Sequence, residues 1–300
     1  MRNYEQGSSA PRYPDFICIG AQKAGTTWLH RALGQHSDIW LPPFKEIQYF
    51  SRIHIGRKVD RKSGQTQHDQ RRSQTLLNMI ESTADSALSL ERKLAQIYCL
   101  SLIGKAELTD EWYSRIFKNS PETRLCGEIS PDYALLPDLG VKHILRLQPN
   151  VKLLFILRDP IERGWSHLRM GEANGVVANI PHLQRISQPG FLTYSDYMTT
   201  IERFRHHVPP ENFLTLFFDD ITIRPRELLV EIYEFLGLDR ARATFNNIDE
   251  PVYAGRRKAM GGEIYAKFRE TFAPIYKRLL ELDHPTVHRW YRKHYELPRL

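Results

Sequence analysis

Residues 20–27 read GAQKAGTT and follow directly on the apolar run FICI. A strand that delivers a glycine-rich turn into a helix start collects unpaired backbone N–H groups at one point, and the helix dipole adds partial positive charge there. Gly20 and Gly25 permit a tight turn and a close approach of backbone to oxygen atoms; Thr26 and Thr27 add hydroxyl donors in the first helical turn. The expected guest is phosphate-like. In the phosphate-loop pattern G-x-x-x-x-G-K-[ST] a lysine follows the second glycine and a Ser/Thr holds Mg²⁺. Here Thr26 takes that place and the lysine is Lys23, inside the turn. With no acidic strand end in the sequence that clearly serves magnesium, a guest needing no metal is the better fit.

A second anion site is spelled by LLFILRDPIERGWSHL, which gives Arg158 and Ser166. An arginine at the C-terminal end of a strand and a serine two turns into the next helix can converge on one phosphate. Between the two stretches lies PFKEIQYF, with Lys45 and Glu46 adjacent; further on come CGEISPDYALLPD and EPVYAGRRKAMGG.

In this order, GAQKAGTTWL and LLFILRDPIERGWSHL resemble the two nucleotide-binding motifs of sulfotransferases that use 3′-phosphoadenosine 5′-phosphosulfate (PAPS). LFFDDITIRPRELLVEIYEFLGL and the basic EPVYAGRRKAMGG stretch extend the likeness over most of the chain. The resemblance implies that Gln22, Lys23, Ala24, Gly25, Thr26, Thr27 and Trp28 form the 5′-phosphosulfate loop, with Trp28 reading chiefly as core packing. It implies that Arg158 and Ser166 hold the 3′-phosphate, and that Gly255 with Arg256 or Arg257 covers the nucleotide. A basic loop merely solvated at 255–258 is the plainer alternative.

PFKEIQYF resembles the K-E-x-x-F-F segment of the carbohydrate-type branch, where a glutamate is the base. Carried over, Glu46 becomes the general base, Lys45 orients it or binds the sulfuryl group, and Lys23 stabilises the leaving group. The cytosolic branch uses a histidine instead, so His54 and His143 stay open as candidates. CGEISPDYALLPD resembles the family's E-K-[ST]-P-x-Y stretch on the acceptor side, implying acceptor contacts at Glu128, Ser130 and Tyr133. Ile129 replaces the family lysine, and Glu128 also reads as a structural strand-end carboxylate.

Something must position these groups. FICIG at 16–20, RLCGEIS at 124–130, VKLLFILR at 151–158 and NFLTLFF at 212–218 are short apolar runs separated by helical periodicity. That alternation predicts an α/β fold with a central parallel sheet flanked by helices; with the resemblance, it is a P-loop NTPase-like sulfotransferase fold. Helices are expected after Gly25, after Asp159-Pro160, and after Arg224-Pro225 up to Gly237. Residues 74–118 read as a helical insertion, 52–73 as a basic surface loop, and the chain from 262 as helices packed back on the domain. The expected organisation is a flexible lead-in at 1–14 and one domain over 15–300.

Composition bounds the rest. The 300 residues, 41% apolar and 26% charged, suit a globular enzyme, and no apolar stretch approaches membrane-spanning length. The N-terminus lacks the apolar stretch of a signal peptide. Cys18, Cys99 and Cys126 are too few and too scattered for a disulfide framework, and a reducing cytoplasm is expected. A net charge of +7 favours anionic partners, but without recognition-helix or finger signatures a small anionic ligand is expected rather than nucleic acid. The expectation is transfer of a sulfuryl group from PAPS to a hydroxyl or amine of a saccharide or other small acceptor, releasing adenosine 3′,5′-bisphosphate (PAP), with no metal. The rivals are a metal-dependent small-molecule kinase and a non-catalytic nucleotide binder.

Overall fold

The computed structural model describes residues 10–56, 73–74, 77–78, 90–104, 107–173, 181–250 and 259–297. Five strands, β1 (Phe16–Gly20), β2 (Ile39–Trp40), β3 (Leu125–Ile129), β4 (Lys152–Leu157) and β5 (Phe213–Phe217), make one parallel sheet in the order β2-β3-β1-β4-β5. β1 lies in the middle, Phe16 level with Gly127 of β3 and with Lys152 of β4. A strand paired on both edges and covered on both faces has no polar side, which is why FICIG is an unbroken apolar run. Gly127 is part of that packing: a Cβ there would lie 2.0 Å from the ring of Phe16.

The helices that matter here are α1 (Thr26–Leu33), α2 (Tyr49–His54), α3 (Leu90–Gly104), α4 (Asp110–Phe117), α5 (Asp138–Leu147), α6 (Pro160–Ala173), α7 (Tyr197–Arg205), α8 (Phe218–Ile223), α9 (Pro225–Leu236), α10 (Gly262–Leu279) and α11 (Pro285–Tyr291). α3 and α4 belong to the helical insertion, which enters between β2 and β3. The predicted strands and the helices after Gly25, Pro160 and Pro225 form as read. The two-residue edge strand β2 escaped the reading because so short a segment carries no periodicity.

Two boundaries shift. The basic stretch expected as loop from 52 begins inside α2, where Arg52 is buried; 57–72 lie outside the described residues. The end of the expected lead-in is tied down: Arg12 donates to Asp15 at 2.9 Å and to the Arg124 carbonyl at 3.1 Å, and Tyr13 stacks on Tyr113. All three cysteines are buried and unbridged, and burial pushes each thiol up to about 12. They act as small hydrophobes, not nucleophiles.

From β1 the chain moves to β2 and β3 on one side, then crosses to β4 and β5 on the other. Ligands of open parallel sheets bind at such a reversal, beyond the C-terminal strand ends. Those ends carry the GAQKAGTT turn, Glu128 with Ser130, and Arg158.

Candidate functional site

The turn after β1 leaves the start of α1 open. Gly25 is its N-cap at φ 90°, no side chain caps the helix, and the first turn carries no acidic residue. The first-turn N–H groups therefore face outward without a competing carboxylate. A side chain at Gly25 would be excluded twice, by that φ and by the Ile221 Cδ1 atom of α8 at 2.4 Å from its Cβ. Lys23 also has a left-handed backbone, φ 70°, and its ammonium reaches α6, 3.5 Å from the Met170 sulfur. A thioether is a weak acceptor. Burial, and then the nearby cations Arg158, Lys45 and Arg169, depress the Lys23 pKa, with Glu46 opposing them.

Arg158 ties the two anion motifs together. Its Nη1 donates to the Lys23 carbonyl at 2.8 Å, its guanidinium lies 4.3 Å from the ring centre of Phe218, and its buried Nε has no partner. Burial depresses its pKa as well. Ser166 is half-buried on α6, one turn before Met170, so the helix face that meets Lys23 also carries the Ser166 hydroxyl. Phe218 was missed in the sequence as a site residue. It packs between Gly25 and Arg158, and its signal was the aromatic pair closing β5 in LFFDD.

The other loop residues divide. Thr27 accepts a hydrogen bond from the Lys45 ammonium. Gln22 keeps a buried side-chain oxygen without a partner. The Ala24 side chain is buried and its N–H already bonds the Ala21 carbonyl at 3.1 Å; Thr26 is buried at the helix start. Trp28 is a core residue whose indole donates to the Ile248 carbonyl at 2.7 Å, so its side chain offers no surface to a nucleotide. Gly255, Arg256 and Arg257 lie outside the described residues. The chain enters that stretch beside α1, where Arg31 donates to the carbonyls of Asn247 and Glu250.

Across from the turn runs the strap between β2 and α2. The Glu46 N–H donates to the Ile129 carbonyl at 2.8 Å, which fastens the strap to the end of β3. Its carboxylate accepts from Gln48 Nε2 at 3.2 Å and lies 3.8 Å from Lys45 Nζ. Lys45 thus bridges Thr27 of the turn and the candidate base, and burial depresses its pKa against the pull of Glu46.

Ser130 and Tyr133 are buried away from an acceptor cleft, and Glu128 takes the structural strand-end place that was its other reading. Glu128, Ser130 and Tyr133 are 1%, 0% and 0% exposed. Glu128 accepts from Ser130 Oγ at 2.5 Å, from Tyr133 at 2.8 Å and from Tyr113 at 2.5 Å. Buried behind the strap, they present nothing to an acceptor in this conformation. Ser130 instead supports the strap by accepting the Gln48 N–H at 3.2 Å. Ile129 is buried too, its side chain in the core where a charged lysine would be stranded. The open histidine candidates also meet: His54 Nε2 lies 2.9 Å from His143 Nδ1, and His143 Nε2 lies 2.7 Å from Asp110.

An open helix start ringed by Lys23, Lys45 and Arg158, with the Glu46 carboxylate opposite, is chemically suited to an anionic guest. Residues 14–242 match the sequence profile described as the sulfotransferase family, and the chain belongs to that family. It is similar to the bifunctional heparan sulfate N-deacetylase/N-sulfotransferase 1 of Xenopus laevis, 21% identical over 259 residues covering 79% of this chain. The chain spans 24% of that relative's length. Among solved structures, a sulfotransferase from Alicyclobacillus acidocaldarius superposes with a TM-score of 0.66 over 93% of this chain and 99% of its own, at 19% identity. A sulfotransferase from Mycobacterium avium gives 0.53 over 91% and 77%, at 14% identity. These likenesses establish the fold.

Proposed function

We propose that the protein transfers a sulfuryl group from PAPS to a hydroxyl or amine of a saccharide or other small hydroxylated molecule, releasing PAP. The observation that carries this reading is the bridge Thr27–Lys45–Glu46, which sets a carboxylate beside an ammonium at the mouth of the open α1 terminus. The open terminus and the partnerless Arg158 Nε suit a nucleotide with two separate anionic groups. Lys23 and the α1 N–H groups would hold the 5′-phosphosulfate, Arg158 and Ser166 the 3′-phosphate. PAPS supplies an activated sulfuryl group; Glu46 would take the acceptor proton, and Lys45 would keep that carboxylate ionised and aimed.

The kinase reading needs a carboxylate near the loop for magnesium. Both strand-end candidates flanking β1 already have protein donors: Glu128 has its hydroxyls, and Asp159 accepts from Tyr276 at 2.5 Å and pairs with His294 at 2.7 Å. Among the described residues no helix is long and apolar enough to cross a membrane; with three buried free thiols, a cytoplasmic setting is the one we propose. The similarity to a heparan sulfate N-deacetylase/N-sulfotransferase puts heparan sulfate saccharides first among acceptors to try.

The test is calorimetric titration with adenosine 3′,5′-bisphosphate and, separately, AMP, in EDTA, followed by transfer of labelled sulfate from PAPS over an acceptor panel. Tight metal-free binding that needs the 3′-phosphate, together with labelled product, is expected. Equal or absent binding of the two nucleotides refutes the donor assignment, Mg²⁺-dependent ATP binding favours the kinase, and binding without turnover favours a non-catalytic binder.

A further inference from the structure

Arg163 on α6 is 0% exposed, yet no carboxylate bonds its guanidinium among the described residues. Its Nε donates to Ser195 Oγ at 2.5 Å and its Nη2 to the Phe191 carbonyl at 3.4 Å, while the buried Nη1 has no partner. The rings of Phe191 and Tyr194 lie 5.7 and 5.9 Å away and give it only weak cation–π contacts. The carboxylates nearest in sequence are committed elsewhere: Asp159 to His294 and Tyr276, Glu162 to Lys293 at 3.0 Å. A buried charge without a counter-ion is strongly unfavourable unless something outside the protein offsets it.

The surroundings say where that offset would come from. Arg163 stands one helical turn before Ser166 and within electrostatic reach of Arg158. The segment that covers it also holds Arg158, since Tyr197 donates to the Arg158 carbonyl at 2.8 Å. His167, one turn on, shares Phe191 and Tyr194 with Arg163, and its buried Nδ1 likewise has no partner. Burial, then Arg163, Arg185 and Lys23, push its pKa down to about 4, so it is neutral and adds no compensating or competing charge at neutral pH.

We propose that Arg163 is a positioning charge for the anion subsite of Arg158 and Ser166, buried beneath it and compensated only when the nucleotide's 3′-phosphate is bound. This rests on the donor reading above. It assigns the α6 arginine a share of nucleotide affinity without contact, at the expense of stability in the ligand-free protein. A purely structural arginine would do the reverse.

The experiment compares wild type, Ser195→Ala, Arg163→Met combined with Ser195→Ala so that no buried hydroxyl is stranded, and Arg163→Lys. Each is titrated with adenosine 3′,5′-bisphosphate at low and high salt, and each is melted without ligand. Expected for the double variant, against Ser195→Ala, is roughly ten-fold weaker binding, the effect of one charge about 12 Å away at an effective dielectric near 20. The loss should be alike at both salt concentrations because a buried charge is poorly screened, and the ligand-free melting temperature should be equal or higher. Arg163→Lys should keep most of the affinity. Unchanged affinity in the double variant, affinity lost together with a lower melting temperature or with the fold itself, or Arg163→Lys binding as weakly as the double variant would each overturn the inference. If wild type itself fails to bind the bisphosphate, the donor reading fails first and takes this inference with it.

Discussion

Arg158 donates to the backbone carbonyl of Lys23 at 2.8 Å, joining a strand end and a turn 135 residues apart in sequence. The residue that would hold one anion thereby fixes the backbone shape of the loop that would hold the other. On the donor reading the two subsites are mechanically coupled through this bond, and loss of one should be felt at both.

Arg158→Ala should therefore cost more than one ligand contact. Removing a charged hydrogen-bond donor typically costs about 1.5–3 kcal/mol, or roughly ten- to a hundred-fold. With the loop carbonyl also released, bisphosphate affinity should fall at least a hundred-fold, and AMP, which lacks the 3′-phosphate, should also bind more weakly. Calorimetry with both nucleotides checks this. An AMP affinity untouched by the substitution would show that the loop does not need Arg158.

Glu46→Gln should separate binding from chemistry. The amide can keep the Gln48 contact but cannot accept a proton, so turnover should drop by about 10²–10⁴ while bisphosphate affinity changes little. Single-turnover rates with labelled PAPS are the readout. Turnover within two-fold of wild type would move the base to another residue, with His54 next to examine.

Tyr113→Phe tests the supporting role of the buried carboxylate cluster. It strips one donor from Glu128 in a site without solvent, which should destabilise the protein by about 1–3 kcal/mol. Denaturant unfolding would show this loss, while the acceptor KM of the folded enzyme should stay the same. A changed KM at unchanged stability would restore the Glu128 cluster to the acceptor side.

Asp110 predicts an acid-side dependence. Burial works against its ionised form but is outweighed by hydrogen bonds from Tyr49, Arg146 and His143, which hold its pKa at about 2, below the ordinary 3.8. A folded pKa depressed in this way means stability is present above the unfolded value and lost as pH falls from about 3.8 through about 2. The carboxylate is substantially exposed, so the effect is modest. Urea unfolding of wild type and Asp110→Asn should show a gap at pH 5 that narrows toward pH 2.5. A constant gap would mean that Asp110 works through packing and not through charge.

The sequence alone pointed to the parallel sheet, because the apolar runs FICIG, KLLFIL and FLTLF, separated by helical periodicity, fit strands of a covered sheet, but the short edge strand β2 and the strand order came only from the structure. It also determined the loop. The left-handed backbone angle at Gly25 is what a glycine-rich turn into a helix announces, while the collision with Ile221 that also forbids a side chain there comes from a distant segment. The placement of Arg158 just past a strand end and of Ser166 on the helix that follows was legible too, since those offsets are local. What only the tertiary structure decided is which polar residues see solvent. Glu46 and Glu128 are the same residue type, each beside an isoleucine in a short motif. One lies on the strap at the mouth of the site, and the other is walled in by three hydroxyls from α4 and the turn after β3. Likewise nothing in PIERGWSHL says that Arg163 points inward with no carboxylate to meet it. Burial and pairing are set by contacts between distant segments, and side-chain chemistry read along the chain carries no record of them.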